Sequence, residues 1–355
     1  MEEELVTSRR RASVAAVLSA SALLLAIVPS TFAQESPAPA GPPPKLVGAF
    51  ATKITEPWDG VINAALEAAE AEGRIDYSYQ DDIGYDGQME PVLRGMVADG
   101  ATVIFGDAFG NGEAVRTVAA ESPDVAFVFG SDGGPAEPNL SVFDNWIHEP
   151  AYLAGMLAGG LTKSNIIGVV GAMPIPEVNR LVNAYIAGAQ YANPEVAVKV
   201  SFINSFDDLA TAHEAALAQI GAGADVLYAE RDGVIAAAKE KGVLAIGNMS
   251  DQQAQAPENV ITSVVWDMQP TVDYVLDQVA GGTYAAQDLG GFSSYAKGGA
   301  TLAAINEAIA GGVPPELVAK VAEREAQIKS GEFRVDVNEG APTDVAGGPA
   351  PSPAS

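Results

Sequence analysis

Residues 165–230 constrain the fold more than any other stretch of this chain. Three β-rich apolar runs alternate there with two segments of helical periodicity; the runs are 166–170, 196–203 and 225–229. Apolar residues of the first helical segment recur at three- and four-residue spacing, at Val178, Leu181, Val182, Tyr185 and Ile186. Because each crossover is long enough to hold a helix, the stretch predicts a βαβαβ unit with a parallel sheet.

The loops that leave the carboxyl ends of these strands are the first candidates for a ligand site. In open parallel sheets such loops face the ligand crevice, and here they span 171–177, 204–208 and 230–233. Residues 45–130 repeat the alternation of strands and helices, and 355 residues exceed what one hydrophobic core usually holds. We therefore expect an α/β protein with two doubly wound lobes.

Composition excludes several classes of partner. The 46 acidic and 19 basic residues leave a formal net charge of -27, which repels phosphate backbones and anionic membrane surfaces. Nucleic acid is therefore not an expected partner. The absence of cysteine excludes disulfides, thiol chemistry and an amino-terminal lipid-modified cysteine.

The ends of the chain carry signals of their own. Three arginines at 9–11 precede an apolar run at 12–28, and Thr-Phe-Ala at 31–33 provides a small-x-small cleavage site. This pattern predicts a signal peptide over 1–33, cleaved near Ala33, and a soluble periplasmic product. A twin-arginine export route and an uncleaved anchor stay open as alternatives. Residues 34–44 are expected to form a proline-rich linker and 341–355 a disordered tail.

Catalytic motifs are missing from the sequence. Its two histidines, His148 and His213, stand alone without a second ligand at metal spacing, and no G-x-S-x-G, Walker or S-x-x-K pattern occurs. The acidic cluster of Asp81, Asp82 and Asp86 lacks the ligand spacing of a calcium loop and is better explained as a solvated turn. We expect neither enzymatic activity nor a metal or cofactor.

A family resemblance extends from about residue 45 to 338. A strand glycine, a P-x-P-E-V turn, an Asn-Ala-x-x-x-Gly-Ala helix and three further segments carry it. The strand glycine is Gly168, the turn residues are Pro174, Pro176, Glu177 and Val178, and the helix residues are Asn183, Ala184, Gly188 and Ala189. The further segments are Asn193 with Pro194, Asn204 and Ser205 with Asp208, and residues 223–226. The chain resembles the basic membrane protein family, which comprises solute-binding proteins of ABC importers and includes purine nucleoside and nucleobase receptors.

This resemblance implies a type I periplasmic binding protein architecture with a ligand cleft between the lobes. Three chain crossings would divide it into a first lobe, 45–145 plus about 261–292, and a second, 146–260 plus about 293–340. Its partners would be a small-molecule ligand and an ABC permease of the inner membrane. We expect the chain itself to be a monomer.

Aromatic side chains lie at the loop ends of strands in both halves. They are Trp58, Phe109, Phe206 and Trp266. Aromatic faces stack on planar heterocycles, so these residues are candidates for a site between the lobes. Core packing is the competing explanation. Polar or small neighbours favour the site for Trp58 and Phe109, whereas Phe206 and Trp266 are evenly balanced.

Six carboxylates in or beside the same loops could accept hydrogen bonds from ring N–H or exocyclic amino groups. They are Asp59, Asp107, Glu177, Glu230, Asp251 and Asp267. Helix capping or ordinary solvation explains each of them equally simply. Asp59 precedes the first helix and Glu177 lies near the start of another.

Three departures from the family pattern bear on the ligand. Met249 occupies the position of an aspartate that holds ribose hydroxyls in the nucleoside-binding branch, and Trp266 replaces a lysine. Thr55 or Glu56 replaces an aspartate ahead of the first aromatic residue. These changes favour a nucleobase-like solute over a nucleoside. A sugar receptor, a sensory binding protein and, last, an extracytoplasmic hydrolase are the alternatives.

Overall fold

The first of two sheets comes from the amino-terminal part of the chain. In the computed structural model, which describes residues 42–131, 133–309 and 311–347, five parallel strands take the order β2-β1-β3-β4-β5. They are β1 (Lys45–Ala49), β2 (Asp76–Gln80), β3 (Val103–Asp107), β4 (Ala126–Gly130) and β5 (Leu140–Phe143). The intervening helices are α1 (Pro57–Ala71), α2 (Met89–Ala98) and α3 (Gly112–Glu121). Alternate residues of β3 face opposite sides, so Phe105 packs with α1 while Ile104 packs with α2 and α3.

The second sheet has six strands in the order β11-β10-β9-β8-β6-β7. They are β6 (Ile166–Gly171), β7 (Ala197–Phe202), β8 (Val226–Ala229), β9 (Leu244–Met249), β10 (Val260–Trp266) and β11 (Ala300–Leu302), and only β11 runs antiparallel to its neighbour. The helices of this half are α4 (His148–Leu161), α5 (Pro176–Ala192), α6 (Leu209–Gly221) and α7 (Val234–Lys241). The predicted βαβαβ unit and the two-lobed α/β class are both confirmed.

The chain passes between the sheets three times. After β5 it enters α4, and after β10 it returns to the first lobe, where α8 (Gln269–Ala280) packs against α1 and Arg74 pairs with Asp277 at 3.0 Å. Backbone hydrogen bonds then join 287–289 to β5, before the chain returns to form β11 and the last helix, α9 (Pro315–Ser330). The expected boundary at about 261 is wrong. All of β10 belongs to the second sheet because it pairs with β9, so the crossing follows Trp266.

Helices α4 and α5 approach each other closely beside the first crossing. A Cβ atom on Gly188 would lie 1.9 Å from the carbonyl oxygen of Tyr152, so only glycine permits this contact. The buried Arg180 of α5 pairs with Asp144 of the crossing at 2.7 Å and with Glu339 at 3.3 Å. Its guanidinium carbon lies 4.0 Å from the ring centre of Trp146. Arg180 therefore joins α5, the crossing and the carboxyl-terminal segment.

The expected disordered tail is wrong over 341–347. Val345 exchanges two backbone hydrogen bonds with Val198 of β7, and Asp344 pairs with Lys199 at 3.0 Å. The edge strand β7 leaves backbone groups open to pairing, and this segment uses some of them. The predicted signal peptide 1–33, linker residues 34–41 and tail residues 348–355 lie outside the described residues. No helix in the described ranges is both long and apolar enough to cross a membrane.

Candidate functional site

Loops from both lobes surround one narrow cavity at the carboxyl ends of the strands. The cavity itself is about 20 Å³, room for about one water molecule. This is far below the roughly 300–1,000 Å³ of small-molecule sites, so a small-molecule ligand fits only when the lobes move apart. Its aromatic lining residues are Trp58, Tyr85, Phe109 and Phe206, and its ionisable ones are Glu56, Asp107, Glu177 and Arg231. Thr52 and Ser131 complete the wall. The cavity thus combines ring faces with buried charge.

Trp58 is held in the first turn of α1 by aromatic neighbours. Its ring stacks on Phe143 at 5.7 Å between centroids and meets Trp266 at 5.1 Å. It also covers Gly130, where an added Cβ would lie 2.0 Å from the indole. Trp58 is only 7% exposed, and its indole N–H has no hydrogen-bond partner among the described residues. One edge of a rigid aromatic stack therefore forms part of the cavity wall.

A second aromatic group spans the two lobes. Phe109 follows β3, Phe206 follows β7, and their rings meet edge to face at 5.2 Å. Tyr85 meets Phe109 from the first lobe at 6.1 Å, also edge to face. The rings of Phe109 and Phe206 touch only because the lobes are close together, so this contact marks a closed arrangement.

Arg231 forms an ion pair between the lobes. Its guanidinium bonds Glu56 of the first lobe at 2.8 Å and Glu230 of its own lobe at 2.9 Å. Burial alone would lower the pKa of Arg231, but Glu230 and Glu56 raise it above its usual value. The other oxygen of Glu56 caps α1 by accepting from the backbone N–H of Trp58 at 2.8 Å. Glu56 therefore connects the helix start, the cavity and the opposite lobe.

Asp59 and Asp107 are buried carboxyls in the first lobe. Asp107 accepts from the backbone N–H of Phe109 at 2.9 Å, and burial together with Asp59 raises its pKa well above the usual value. Asp59 accepts from the hydroxyl and backbone N–H of Thr52, at 2.7 and 3.0 Å. Burial and the charge of Glu56 raise the pKa of Asp59 to about 7. Asp107 lines the cavity, while Asp59 lies directly behind the wall.

Glu177 and Glu230 are the matching carboxyls of the second lobe. Glu177 accepts from Asn145 at 3.0 Å and from Ser131 of the first lobe at 3.3 Å. Its carboxyl group is enclosed although the residue as a whole is half-buried. Burial and the nearby Asp144 raise its pKa to about 8. Glu230 accepts from the backbone N–H of Ala172 at 2.8 Å, and burial raises its pKa against the opposing effect of Arg231.

The remaining candidates lie away from this cavity. Met249, Asp251, Trp266 and Asp267 line a separate space of about 310 Å³ between α1 and the ends of β9 and β10. Asp251 accepts from the backbone N–H of Gln253 at 3.1 Å, and Asp267 from that of Gln269 at 2.8 Å. Both carboxylates are exposed and accept hydrogen bonds within their own turns, in agreement with the capping explanation. Trp266 supports Trp58 from behind and donates to Ser293 at 2.9 Å.

Sequence reasoning did not single out Thr52, Tyr85, Ser131 or Arg231 as wall residues. Arg231 had a usable signal, because it follows Glu230 within a loop already expected to face the crevice. Tyr85 and Ser131 follow β2 and β4, to which the same rule applies.

Among the described residues no group of three or more metal-ligating side chains is placed to hold an ion. Burial and Arg180 lower the pKa of His148 to about 4.

Known proteins with similar sequences include binding proteins of ABC transporters. A family model described as ABC transporter substrate-binding protein PnrA-like matches residues 55–290. A purine-binding protein of Brucella abortus is 30% identical over 277 residues, which cover 76% of each chain. A putative ABC transporter glucose-binding protein of Haloferax volcanii is 37% identical over 186 residues, 52% of this chain and 47% of that protein.

Solved structures agree with the fold. An ABC transporter solute-binding protein from Conexibacter woesei superposes with a TM-score of 0.67 at 27% identity, covering 83% of this chain and 99% of its own. The architecture of this chain is therefore that of two sheet-and-helix lobes of the periplasmic binding protein type.

Proposed function

The chain belongs to the family of PnrA-like ABC transporter substrate-binding proteins, and from that premise we propose that it captures a nucleobase-like planar solute outside the cytoplasm. The solute would then pass to an ABC permease. The observation that carries the proposal is that Trp58 and Phe109 of one lobe line the same cavity as Glu177, Phe206 and Arg231 of the other. A solute bound there touches both lobes.

Closure of the lobes is the mechanism that this arrangement supports. A ligand that contacts both lobes has more contacts in the closed form than in the open form, and this difference in affinity shifts the population toward closure. The three crossings, after β5, after β10 and before β11, are the connections about which the lobes would move. Micromolar capture corresponds to about 8 kcal/mol of net binding free energy.

The two positions at which the nucleoside-binding relatives carry an aspartate and a lysine favour a nucleobase over a nucleoside here, although both lie outside the cavity wall. Met249 is 1% exposed and bonds through its sulfur to Asn145 at 3.9 Å, and Trp266 packs on Trp58. Neither side chain offers the carboxylate or ammonium group that would hold ribose hydroxyls. The name of the Brucella relative supports a purine base as the first compound to test.

A ligand panel tests the proposal. Adenine, guanine, hypoxanthine, adenosine and glucose are added to the purified protein while melting temperature and tryptophan fluorescence are recorded. At a hundredfold excess over Kd, a single-site ligand stabilises the folded state by about 2.7 kcal/mol. A nucleobase is expected to raise the melting temperature and to change the fluorescence of Trp58. If no base or nucleoside does so, the proposal is wrong.

A paired substitution separates wall contacts from general stability. Phe109→Ala removes a cavity aromatic and should weaken binding at least tenfold while the unliganded protein stays folded. Tyr191→Ala removes an aromatic ring that is 57% exposed in the second lobe, and should leave binding unchanged. Equal effects of the two variants would contradict the assignment of the cavity.

Sugar binding is the second candidate because the Haloferax relative is named as a glucose-binding protein, and sugars also stack on aromatic faces. The same panel decides between them, since stabilisation by glucose but not by bases would favour the sugar. Export is tested separately by amino-terminal sequencing of the secreted protein, which should begin at Gln34.

A further inference from the structure

Ionisable groups around the cavity are strongly unbalanced in charge. Five carboxylates lie in or directly behind its wall: Glu56, Asp59, Asp107, Glu177 and Glu230. Four of them are at most 7% exposed, and Glu177 is half-buried. Among the described lining residues the only cationic side chain is Arg231.

Arg231 is already engaged. It bonds Glu56 at 2.8 Å and Glu230 at 2.9 Å, so one guanidinium serves two carboxylates. Within the described ranges, Asp59, Asp107 and Glu177 form no salt bridge. Their attached partners are hydroxyl, amide and backbone N–H groups. A buried carboxylate without a cation is costly, so these three groups either hold protons or await a positive charge.

Asp107 can accept a further hydrogen bond from a ligand in the cavity. One of its oxygens accepts from Phe109, and in the described chain the other accepts no hydrogen bond, although the residue is only 7% exposed. Four aromatic side chains complete the same wall, and aromatic faces attract cations, most strongly where water is excluded. Arg231 itself lies 5.6 Å from the ring centre of Phe206.

We propose that this cavity selects a planar nitrogen heterocycle that is positively charged when bound, over neutral and anionic solutes of the same shape. The proposal rests on the solute-binding function above and specifies the charge of the solute. The bound cation compensates Asp107 and Glu177 and lies against the aromatic wall. An anion would add to a surplus of negative charge, and a neutral ring would leave that surplus to be compensated by protons alone.

When no cation is bound, protons compensate the charge of the same carboxylates. Asp107 faces the charges of Asp59, Glu177, Glu56 and the hydroxyl of Tyr85. Glu177 faces Asp144, Arg180, Glu230 and Arg231, and Asp59 also faces Asp81. With the pKa of Asp59 raised to about 7 and that of Glu177 to about 8, both groups hold protons in part near neutral pH.

A bound cation therefore displaces protons. It favours the ionised carboxylates, so their O–H bonds break and the protons pass to the buffer. Affinity for the cation should rise as pH increases from 6 to 8. The rival arrangement, in which a protonated carboxyl donates to an uncharged ring nitrogen, gives the opposite trend because that donor is lost at higher pH.

Two matched charge series test the proposal. The first is nicotinate, nicotinamide and 1-methylnicotinamide, which place a negative, neutral and positive charge on one ring system. The second is 9-methyladenine and its N1-methylated cation. In whichever series binds more tightly, the cation should bind at least tenfold tighter than the neutral compound. Calorimetry in two buffers of different ionisation enthalpy should register proton release on binding.

Several outcomes overturn the proposal. They are equal or tighter binding of the neutral compound, failure of both cations to bind, and an affinity for the cation that falls as pH rises. If the nucleobase panel still stabilises the protein in any of these cases, the solute-binding function stands and only the charge preference fails.

Single substitutions test which carboxylate causes the preference for the cation. Asp107→Asn removes one cavity charge and should reduce the preference for the cation at least tenfold, measured as the ratio of the dissociation constants of the cation and its neutral counterpart. Asp124→Asn removes the same charge from an exposed turn and should change nothing. If Asp107→Asn does not fold, Glu177→Gln replaces it, with the same expected loss. An unchanged preference in a folded variant contradicts the assignment.

Discussion

The second lobe contains two buried arginines, Arg180 and Arg231, whose partners differ in one respect. Arg180 bonds Asp144 and Glu339 and lies over Trp146, all of which belong to the crossing or to the carboxyl-terminal segment. Arg231 bonds Glu56, which belongs to the facing lobe. The Arg180 contacts can persist when the lobes separate, whereas the Arg231–Glu56 contact cannot.

Asn145 connects the two networks. Its side-chain oxygen accepts from Arg180 at 3.0 Å, and its amide nitrogen donates to Glu177 at 3.0 Å. Glu177 in turn accepts from Ser131 across the cleft. The crossing is thus bonded to the cavity through a single amide. Similar ion pairs therefore differ in function, since one maintains the connection between the lobes and the other depends on their closure.

The largest expected effect is on Arg180. Arg180→Ala removes the charge shared by Asp144 and Glu339, the hydrogen bond to Asn145 and the stack on Trp146. The free energy of unfolding should fall by about 3 kcal/mol, measured by urea denaturation. Arg180→Lys keeps the charge and should recover part of this loss. A fall below about 1 kcal/mol would contradict the role given to this network.

Arg231→Ala should lower stability less than Arg180→Ala does, but it should change the shape of the protein more. Arg231→Ala leaves Glu56 and Glu230 without their cation, and opening of the cleft relieves this by hydrating Glu56. The free energy of unfolding should fall by about 1–2 kcal/mol. The radius of gyration from small-angle scattering should increase relative to the wild type. An Arg180→Lys sample provides the control, and an unchanged radius would show that the pair does not maintain closure.

Measured per pH unit, the smallest effect comes from the titration of Glu177. The pKa of Glu177 rises from 4.5 to about 8 on folding, so between these pH values the folded protein holds a proton that the unfolded chain has lost. Raising pH therefore favours the unfolded state, by at most about 1.4 kcal/mol per pH unit for this one group. Glu177→Gln should flatten the fall in unfolding free energy between pH 5 and 8. Asp124→Asn is the control for loss of one charge, and an unaltered slope in Glu177→Gln would contradict the assignment.

Local patterns predicted much of the fold. The three runs at 166–170, 196–203 and 225–229 correspond to β6, β7 and β8. Burial on both faces explains the continuous apolar residues of β6 and β8, whereas the edge strand β7 is only partly buried. The place of β10 was misjudged, since pairing with β9 depends on partners outside its own segment. The pairing of 341–347 with β7 was not predicted for the same reason. The Pro, Ala and Gly content of this segment does not reveal that the open edge of β7 lies beside it.

About half of the candidate residues meet in the cavity. The rule that ligands bind beyond the carboxyl ends of parallel strands led to Trp58, Asp107, Phe109, Glu177 and Phe206. It led equally to Asp251 and Asp267, which hold turns beside a different space. The rule names an edge of each sheet but does not say which parts of the two edges face each other.

The class of fold and the kinds of side chain at the strand ends follow from the sequence without the structure, because periodicity and loop position are local properties. Tertiary structure alone decided that Glu56 and Arg231, which lie 175 residues apart in the chain, form an ion pair. It also decided which carboxyls have raised pKa values, since burial and neighbouring charge exist only after the two lobes have packed together.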